Sequence, residues 1–463
     1  MFLVIDLSTT ACKSFLISRE GRIRAGSRVE IELIHPRPGW AEADPREWWN
    51  ACLKAIKEAM RKGDVRPGEI ECIGVSGLMH VLVPVDERCE PLYNAILWMD
   101  PRCYVQLKWL AENRPEAVEK AHKFLFGKDF IRAKLTGEFA TDPSDAAGTI
   151  WFDLEGLRWD EQKLGSIGIP SEKLPEIRRS SCVAGRLTQK AAEEMGLEEG
   201  IPVAVGGCDV HCTLLGADIY RGRRCCLYMG TAAWLARPEP NPRFQIHRAS
   251  LWGRGVRWVG STATLGACLR WCRELLGGDE LFHDRFNELA SQAPPGSDGL
   301  IFLPHMMGER GPKRNPDAKG AFVGLTLSHK LPHLARSVME GNAYLIRHII
   351  DEHGYDSFDE LVPVGGGAKS RLWLRIISDV TGKPILIQNE LEATALGCAI
   401  LAAVSIGHFE SVEEGMSNWI DIVDRIDPSP ENREVYERMY RIYRELDASL
   451  ERFYPRLGAN PDG

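Results

Sequence analysis

Asp6-Leu-Ser-Thr-Thr10, with Lys13 shortly after, puts a carboxylate at the end of an apolar run and beside a hydroxyl-rich turn. Gly206-Gly-Cys-Asp209 ends a second apolar run with two glycines and an aspartate, and Met229-Gly230-Thr231-Ala232 ends a third. Val364-Gly365-Gly-Gly-Ala-Lys-Ser370 joins a further apolar run to a segment with helical spacing. Together these residue types match what phosphoryl transfer asks of a protein, which is positioning and charge more than covalent work. A strand-end carboxylate such as Asp6 can hold hydrated Mg2+ while turn amides face phosphate, or it can merely cap a hairpin. Asp209 suits a general base and equally a helix N-cap. Glycines at 230 and 365–367 let a backbone approach a ligand closely, or serve tight packing alone. The triple-glycine run is neither G-x-G-x-x-G nor a Walker A loop, which argues against a Rossmann dehydrogenase and a P-loop enzyme.

The elements that must position these groups are legible around them. Met1 to Ile5 and Ser14 to Ser18 read as strands, with a third containing Val29 to Leu33. Asp44-Pro45 is a helix start with proline in the first turn, and Trp48, Trp49, Cys52, Leu53, Ile56 and Met60 follow at helical spacing. Strands are expected at 71–75, 81–85, 201–205, 225–229, 234–236, 252–258 and 361–364. Helices are expected at 264–276, 334–350, 372–380 and 431–453. Both halves begin with a strand ending in a small, threonine-containing turn, which suggests internal duplication. Two α/β domains are expected, 1–217 and 218–463, with a hinge near 217–224.

Composition narrows the function classes. The 463 residues include 44% hydrophobic and 26% charged, ordinary globular values with material for large cores. A net charge of −8 is a poor footprint for nucleic-acid binding. No apolar run is long enough to span a membrane, so no membrane partner is expected. The thirteen cysteines are scattered and form no C-x-x-C pair, which argues against a zinc knuckle and fits a reducing cytoplasm.

The order Asp-turn, Gly-Gly-x-Asp, Gly-Thr, Gly-Gly-Gly-Ala resembles the FGGY family of sugar kinases, over nearly the whole chain. Glu42-Ala-Asp-Pro-Arg-Glu-Trp-Trp49, Trp98-Met-Asp-Pro-Arg102, Gly308-Glu-Arg-Gly-Pro312 and Gly320-Ala-Phe-Val-Gly-Leu325 are similar to further family segments. Within the family the likeness is to xylulose kinases, carried by Met79-His80 and by Thr141-Asp-Pro-Ser-Asp-Ala-Ala-Gly-Thr149. The resemblance implies an α/β fold of two actin-like (ribonuclease H-like) lobes, with a nucleotide and sugar cleft between them. It implies ATP and Mg2+ as co-substrate and cofactor, and a small sugar whose terminal hydroxyl is phosphorylated, D-xylulose first. By this likeness Asp209 is the general base and a metal-side carboxylate, and Asp6 anchors Mg2+ through water. Met79, His80 and Asp100 line the sugar pocket, while Thr9, Thr10, Lys13, Gly230, Thr231, Gly266, Gly366 and Ser370 surround the nucleotide. A homodimer is the family's default.

Several residues depart from the family pattern. Ser8 stands where glycine is usual, so the turn must relax or the phosphate contact weaken. Leu78 replaces a glutamine before Met-His, and Val210 replaces an asparagine after the base, each removing a polar group from the sugar side. The segment from Arg102 to Lys128 is shorter than in xylulose kinases. Losing hydrogen-bond partners alters substrate discrimination more than it alters the transfer chemistry. Glycerol, ribulose, gluconate and deoxy-ketoses are therefore the rival acceptors. A non-catalytic sugar or nucleotide sensor that retains the fold is the rival of another class.

Overall fold

In the structure, a computed structural model, residues 1–239, 255–275 and 282–457 are described. They form two compact units. The first is built from Met1–Asp218 together with Glu392–Asp421, and the second mainly from Ile219–Pro238, 257–391 and 422–457. The stretch 218–463 is thus not one uninterrupted unit, because 392–421 pack with the amino-terminal residues.

In the first unit, β1 (Phe2–Ser8) and β2 (Ala11–Ile17) form an antiparallel hairpin that sets Asp6 opposite Lys13. β3 (Ile23–Glu30) continues the meander on the far side of β2. Phe2 to Ile5 have no solvent exposure, as expected for a strand covered on both faces. Helix α1 (Pro45–Gly63) starts where Asp44 accepts the Arg46 N–H, with proline at its first position. It buries Trp48, Cys52, Ala55, Ile56 and Ala59 along one stripe. Strand β4 (Cys72–Gly77) returns parallel to β1 and brings Ser76 level with Asp6. Helix α2 (Gly127–Thr136) is followed by β5 (Val183–Arg186) and β6 (Pro202–Ala204). The sheet order is β5-β6-β4-β1-β2-β3, with the short strand Gly207–Cys208 added beside the end of β4. Helix α3 (Asp209–Gly216) begins at once after it.

The second unit repeats the plan. β7 (Arg224–Met229) pairs antiparallel with β8 (Ala233–Glu239), and β9 (Gly255–Ser261) lies beyond β8. The expected strand 252–258 is thus found from 255 onward; 252–254 lie outside the described residues. Helix α4 (Gly266–Leu275) begins two residues after the expected 264, and 276 lies outside the described residues. Helix α5 (Leu331–His353), strand β10 (Glu360–Val364), helix α6 (Arg371–Thr381) and β11 (Ile385–Gln388) follow, then β12 (Ile422–Ile426). Their sheet runs β9-β8-β7-β10-β11-β12, with β7, β10 and β11 parallel. In each unit an antiparallel hairpin is followed by parallel strands, the pattern the suggested duplication requires.

Helix α7 (Ala393–Ser405) belongs to the first unit. It lies so close to α3 that a Cβ on Gly397 would sit 1.9 Å from the Cys212 carbonyl oxygen, and the hydroxyls of Thr213 and Thr394 are 2.7 Å apart. Among the described residues no helix is long and apolar enough to cross a membrane.

Candidate functional site

Asp6 lies at the end of β1, 4% exposed, and its Oδ1 is buried without a hydrogen-bond partner. Burial pushes its carboxyl up from the ordinary range, against the pull of the Lys13 ammonium across the hairpin. Asp209 is the first residue of α3, after the N-cap Cys208, so it is not itself the N-cap. Its Oδ1 accepts the Val210 N–H at 2.8 Å, and the nearby Met79 amide also favours its charged form. Burial first, and the neighbouring Asp6 carboxylate second, raise Asp209 to about 7. Two carboxylates that repel each other, one with an oxygen left without a donor, form a donor set that suits a divalent cation.

What delivers Asp209 is the turn before it. Gly206 has φ +76, and a Cβ there would stand 1.9 Å from the Val75 carbonyl oxygen. Only glycine lets the chain pass β4 at this distance and turn into α3. Beside it, Met79 is 7% exposed, and His80 adopts the left-handed φ of 55. The His80 ring stacks on Tyr104 with centroids 5.7 Å apart.

The other residues expected in this unit fall at different distances from that centre. Thr9 Oγ1 accepts the Trp98 indole N–H at 2.9 Å, which ties the β1–β2 turn to the Trp98–Arg102 segment. Thr10 is exposed, and Lys13 forms an ion pair with Glu392 at 3.6 Å. Asp100 has no exposure: Oδ2 accepts the Ala41 N–H at 2.8 Å, and both oxygens accept from the Arg102 guanidinium. Arg102 also pairs with Glu42 at 2.9 Å and lies over the Trp40 ring at 3.3 Å. The segments Glu42–Trp49 and Trp98–Arg102 thus meet through one buried ionic knot.

Two of the departures resolve locally. Ser8 is not among the described residues with positive φ, and its hydroxyl donates to the Ala11 carbonyl at 2.8 Å, closing the turn without strain. Leu78 is 1% exposed and packs in the first unit's core, so an apolar residue there removes no polar group from the Met79–His80 surface. Val210 contributes its amide to Asp209.

In the second unit, Gly230 and the exposed Thr231 form the β7–β8 turn, and α4 starts against it. The N–H groups of Gly266 and Leu265 donate to the carbonyls of Gly230 (3.0 Å) and Thr231 (2.8 Å). A Cβ on Gly266 would lie 2.6 Å from the Gly230 carbonyl oxygen. Gly366 is exposed, with open space where a side chain would be. Ser370 caps α6 by accepting the Trp373 N–H, and its hydroxyl donates to Asn287 at 2.6 Å. In the loop Gly308–Pro312, Glu309 accepts the N–H groups of Arg310 and Gly311 and bonds His305 Nδ1 at 2.9 Å.

Tyr104, Asn287, Glu392 and the buried Lys128, Asp129 and Arg132 are the residues near these groups that sequence reasoning did not single out, and Asp142 and Asp145 were seen only as part of the Thr141–Thr149 segment, without their buried partners.

Comparison with known proteins agrees with this architecture. Residues 1–107 and 104–216 match the N-terminal domain of the FGGY family of carbohydrate kinases, and residues 235–406 match its C-terminal domain. A xylulose kinase of Staphylococcus xylosus is 28% identical over 479 residues, covering 96% of this chain and 98% of its own. The crystal structure of a ligand-bound xylulose kinase from Lactobacillus acidophilus superposes with a TM-score of 0.85 at 26% identity, over 99% of this chain and all of that one. A gluconate kinase from the same organism gives the same TM-score at 25% identity, over 99% of each chain. The two-domain α/β fold is therefore that of the actin-like sugar kinases. The chain belongs to the FGGY family of carbohydrate kinases. It is an ATP-dependent sugar kinase.

Proposed function

We propose that this kinase phosphorylates the terminal hydroxyl of a pentulose, D-xylulose before other acceptors, with Asp209 as the general base. The observation that carries the reading is the joint placement of Asp209 and Met79-His80, where the Met79 amide lies close enough to the Asp209 carboxylate to favour its charge. A base lodged against the sugar-side segment can take the proton from a hydroxyl as it attacks the γ-phosphate. Relatives that act on xylulose support the sugar; the gluconate kinase with an equal TM-score keeps an aldonate in the comparison. A coupled ADP assay over ketoses, polyols and aldonates tests this: D-xylulose is expected to give the highest kcat/KM. A different preferred acceptor would replace the sugar, and binding without turnover would favour a sensor.

Asp6, through water, and Asp209 would hold Mg2+, a cation that keeps several waters and needs few protein carboxylates. Bound there, Mg2+ supplies neutralisation of charge on the phosphates. Thr9, Thr10, Lys13, Gly230, Thr231, Gly266, Gly366 and Ser370 would contact the nucleotide. Asp100, with both oxygens engaged by Ala41 and Arg102, acts by holding the sugar-side wall. Thirteen free thiols, all but Cys182 buried, support a cytoplasmic location.

Two results are expected from this reading. The general base must be ionised, so kcat/KM for the sugar in low Mg2+ should fall about tenfold per pH unit below about 7 and level off above it. Raising Mg2+ should move this limb to lower pH, and a flat profile from pH 5.5 to 8.5 would remove Asp209 from the role. Gly266→Ala should force α4 off the Gly230–Thr231 turn and raise the KM for ATP about tenfold, with the sugar KM nearly unchanged. An unchanged ATP KM would take that turn out of the nucleotide site.

A further inference from the structure

We propose that the segment Asp142–Gly148, anchored by the buried Lys128, positions His80 for the acceptor sugar, with Asp145 as the positioning residue. The inference rests on the reading of Met79 and His80 as the sugar side. Lys128, Asp129, Arg132, Asp142 and Asp145 all have no solvent exposure. Lys128 Nζ lies 2.5 Å from Asp129, 3.0 Å from Asp142 and 3.3 Å from Asp145. Arg132 pairs with the same Asp129 at 2.8 Å. Five ionisable groups are a costly filling for a core that apolar side chains would pack at least as well. Their outward hydrogen bonds point to what they hold.

Asp145 Oδ1 accepts the His80 N–H at 3.1 Å. Asp142 Oδ2 accepts from the Ser180 hydroxyl at 2.7 Å and the Ser144 N–H at 3.0 Å. Ser144 Oγ in turn accepts the Cys208 N–H at 2.9 Å, and Arg132 donates to the Val205 carbonyl at 2.7 Å. One cluster therefore fixes both His80 and the strand that runs into Asp209. The His80 amide is thus committed to Asp145, while the Met79 amide next to it lies on the side of Asp209. His80 itself holds a left-handed backbone, which a non-glycine residue keeps only where its surroundings demand it. The same segment presses on His80 from another side: a Cβ on Gly148 would meet the His80 Cβ at 2.8 Å and the Met79 Cε at 2.9 Å. Burial pushes the Asp145 carboxyl well up in spite of Lys128.

Asparagine at 145 keeps an oxygen that can accept the His80 N–H, whereas alanine removes the acceptor. In the full-length enzyme with D-xylulose and ATP, Asp145→Ala should raise the D-xylulose KM at least tenfold and leave the ATP KM within twofold. Asp145→Asn should stay within threefold of wild type for both. An unchanged D-xylulose KM in Asp145→Ala, an equal loss toward both substrates, or an asparagine variant as impaired as alanine would overturn the inference. Should Asp145→Ala fail to fold, Gly148→Ala must raise the D-xylulose KM without changing that of ATP; no change there also overturns it. His80→Ala separates the two layers. If it raises the D-xylulose KM while Asp145→Ala does not, only this inference falls; if it too has no effect, the sugar-side reading falls and takes the inference with it.

Discussion

Asp209→Asn is expected to lower kcat about 1,000-fold, leave ATP binding within a few-fold of wild type, and raise the melting temperature. The first effect follows from removing the group that receives the hydroxyl proton. The last follows from the environment that makes the group a useful base. Its carboxyl is raised from the ordinary range to about 7 by burial and by Asp6. A carboxyl with a higher pKa folded than unfolded is hardest to keep ionised in the native state. Its charge therefore begins to cost stability above the unfolded value and costs most above pH 7. Partial solvent contact reduces the penalty, and a gain of about 1–3 kcal/mol at pH 8 is expected for the neutral isostere. An ADP-release assay, calorimetric ATP titration and thermal melts check the three parts. Near-normal turnover would sink the assignment of the base, and a lowered melting temperature would sink the electrostatic account.

Gly206→Ala should be among the most destabilising single substitutions in the first unit, by about 3 kcal/mol or more. Its left-handed backbone costs any other residue about 1 kcal/mol before contacts are considered. The added methyl then meets the Val75 carbonyl oxygen, part of a central strand that no rotamer change can move aside. Relief must come from the 206–209 segment, so the protein that does fold should also lose activity through a displaced Asp209. Denaturant unfolding and specific activity of the soluble fraction measure both; a loss below about 1 kcal/mol with full activity would contradict the geometry.

The contrast between Asp209 and its supports shows how far this sequence can be read. Asp6 and Asp209 are visible because each follows an apolar strand at a turn, a local pattern. α1 is visible because Asp44, Pro45 and the Trp48–Met60 periodicity all agree. α7 was not recognised as a helix, since Ala393 to Ser405 is apolar on nearly every face and so has no period to read. Lys128, Asp129 and Arg132 have the spacing of an exposed helical face, yet all are buried, because their partners come from Asp142 and Asp145. Leu78 shows the reverse error: beside Met79-His80 in the chain, its side chain turns into the core. Local chemistry was legible; what packs against it depends on pairings distant in sequence.

The return of residues 392–421 to the first unit sets the order of events on the ribosome. α7 covers β1 and β4, and Gly74 of β4 leaves room for the Cys398 sulfur, where a Cβ would come within 3.0 Å. When Asp218 leaves the exit tunnel, that sheet face is still bare. At elongation rates of about 5–20 residues per second it stays so for roughly 10–40 s, until Ser405 has been made. The amino-terminal half of the gene therefore encodes a domain that cannot close by itself. A split or truncated version made at the unit boundary would present an apolar sheet to chaperones and proteases, whereas one that carries α7 along would not.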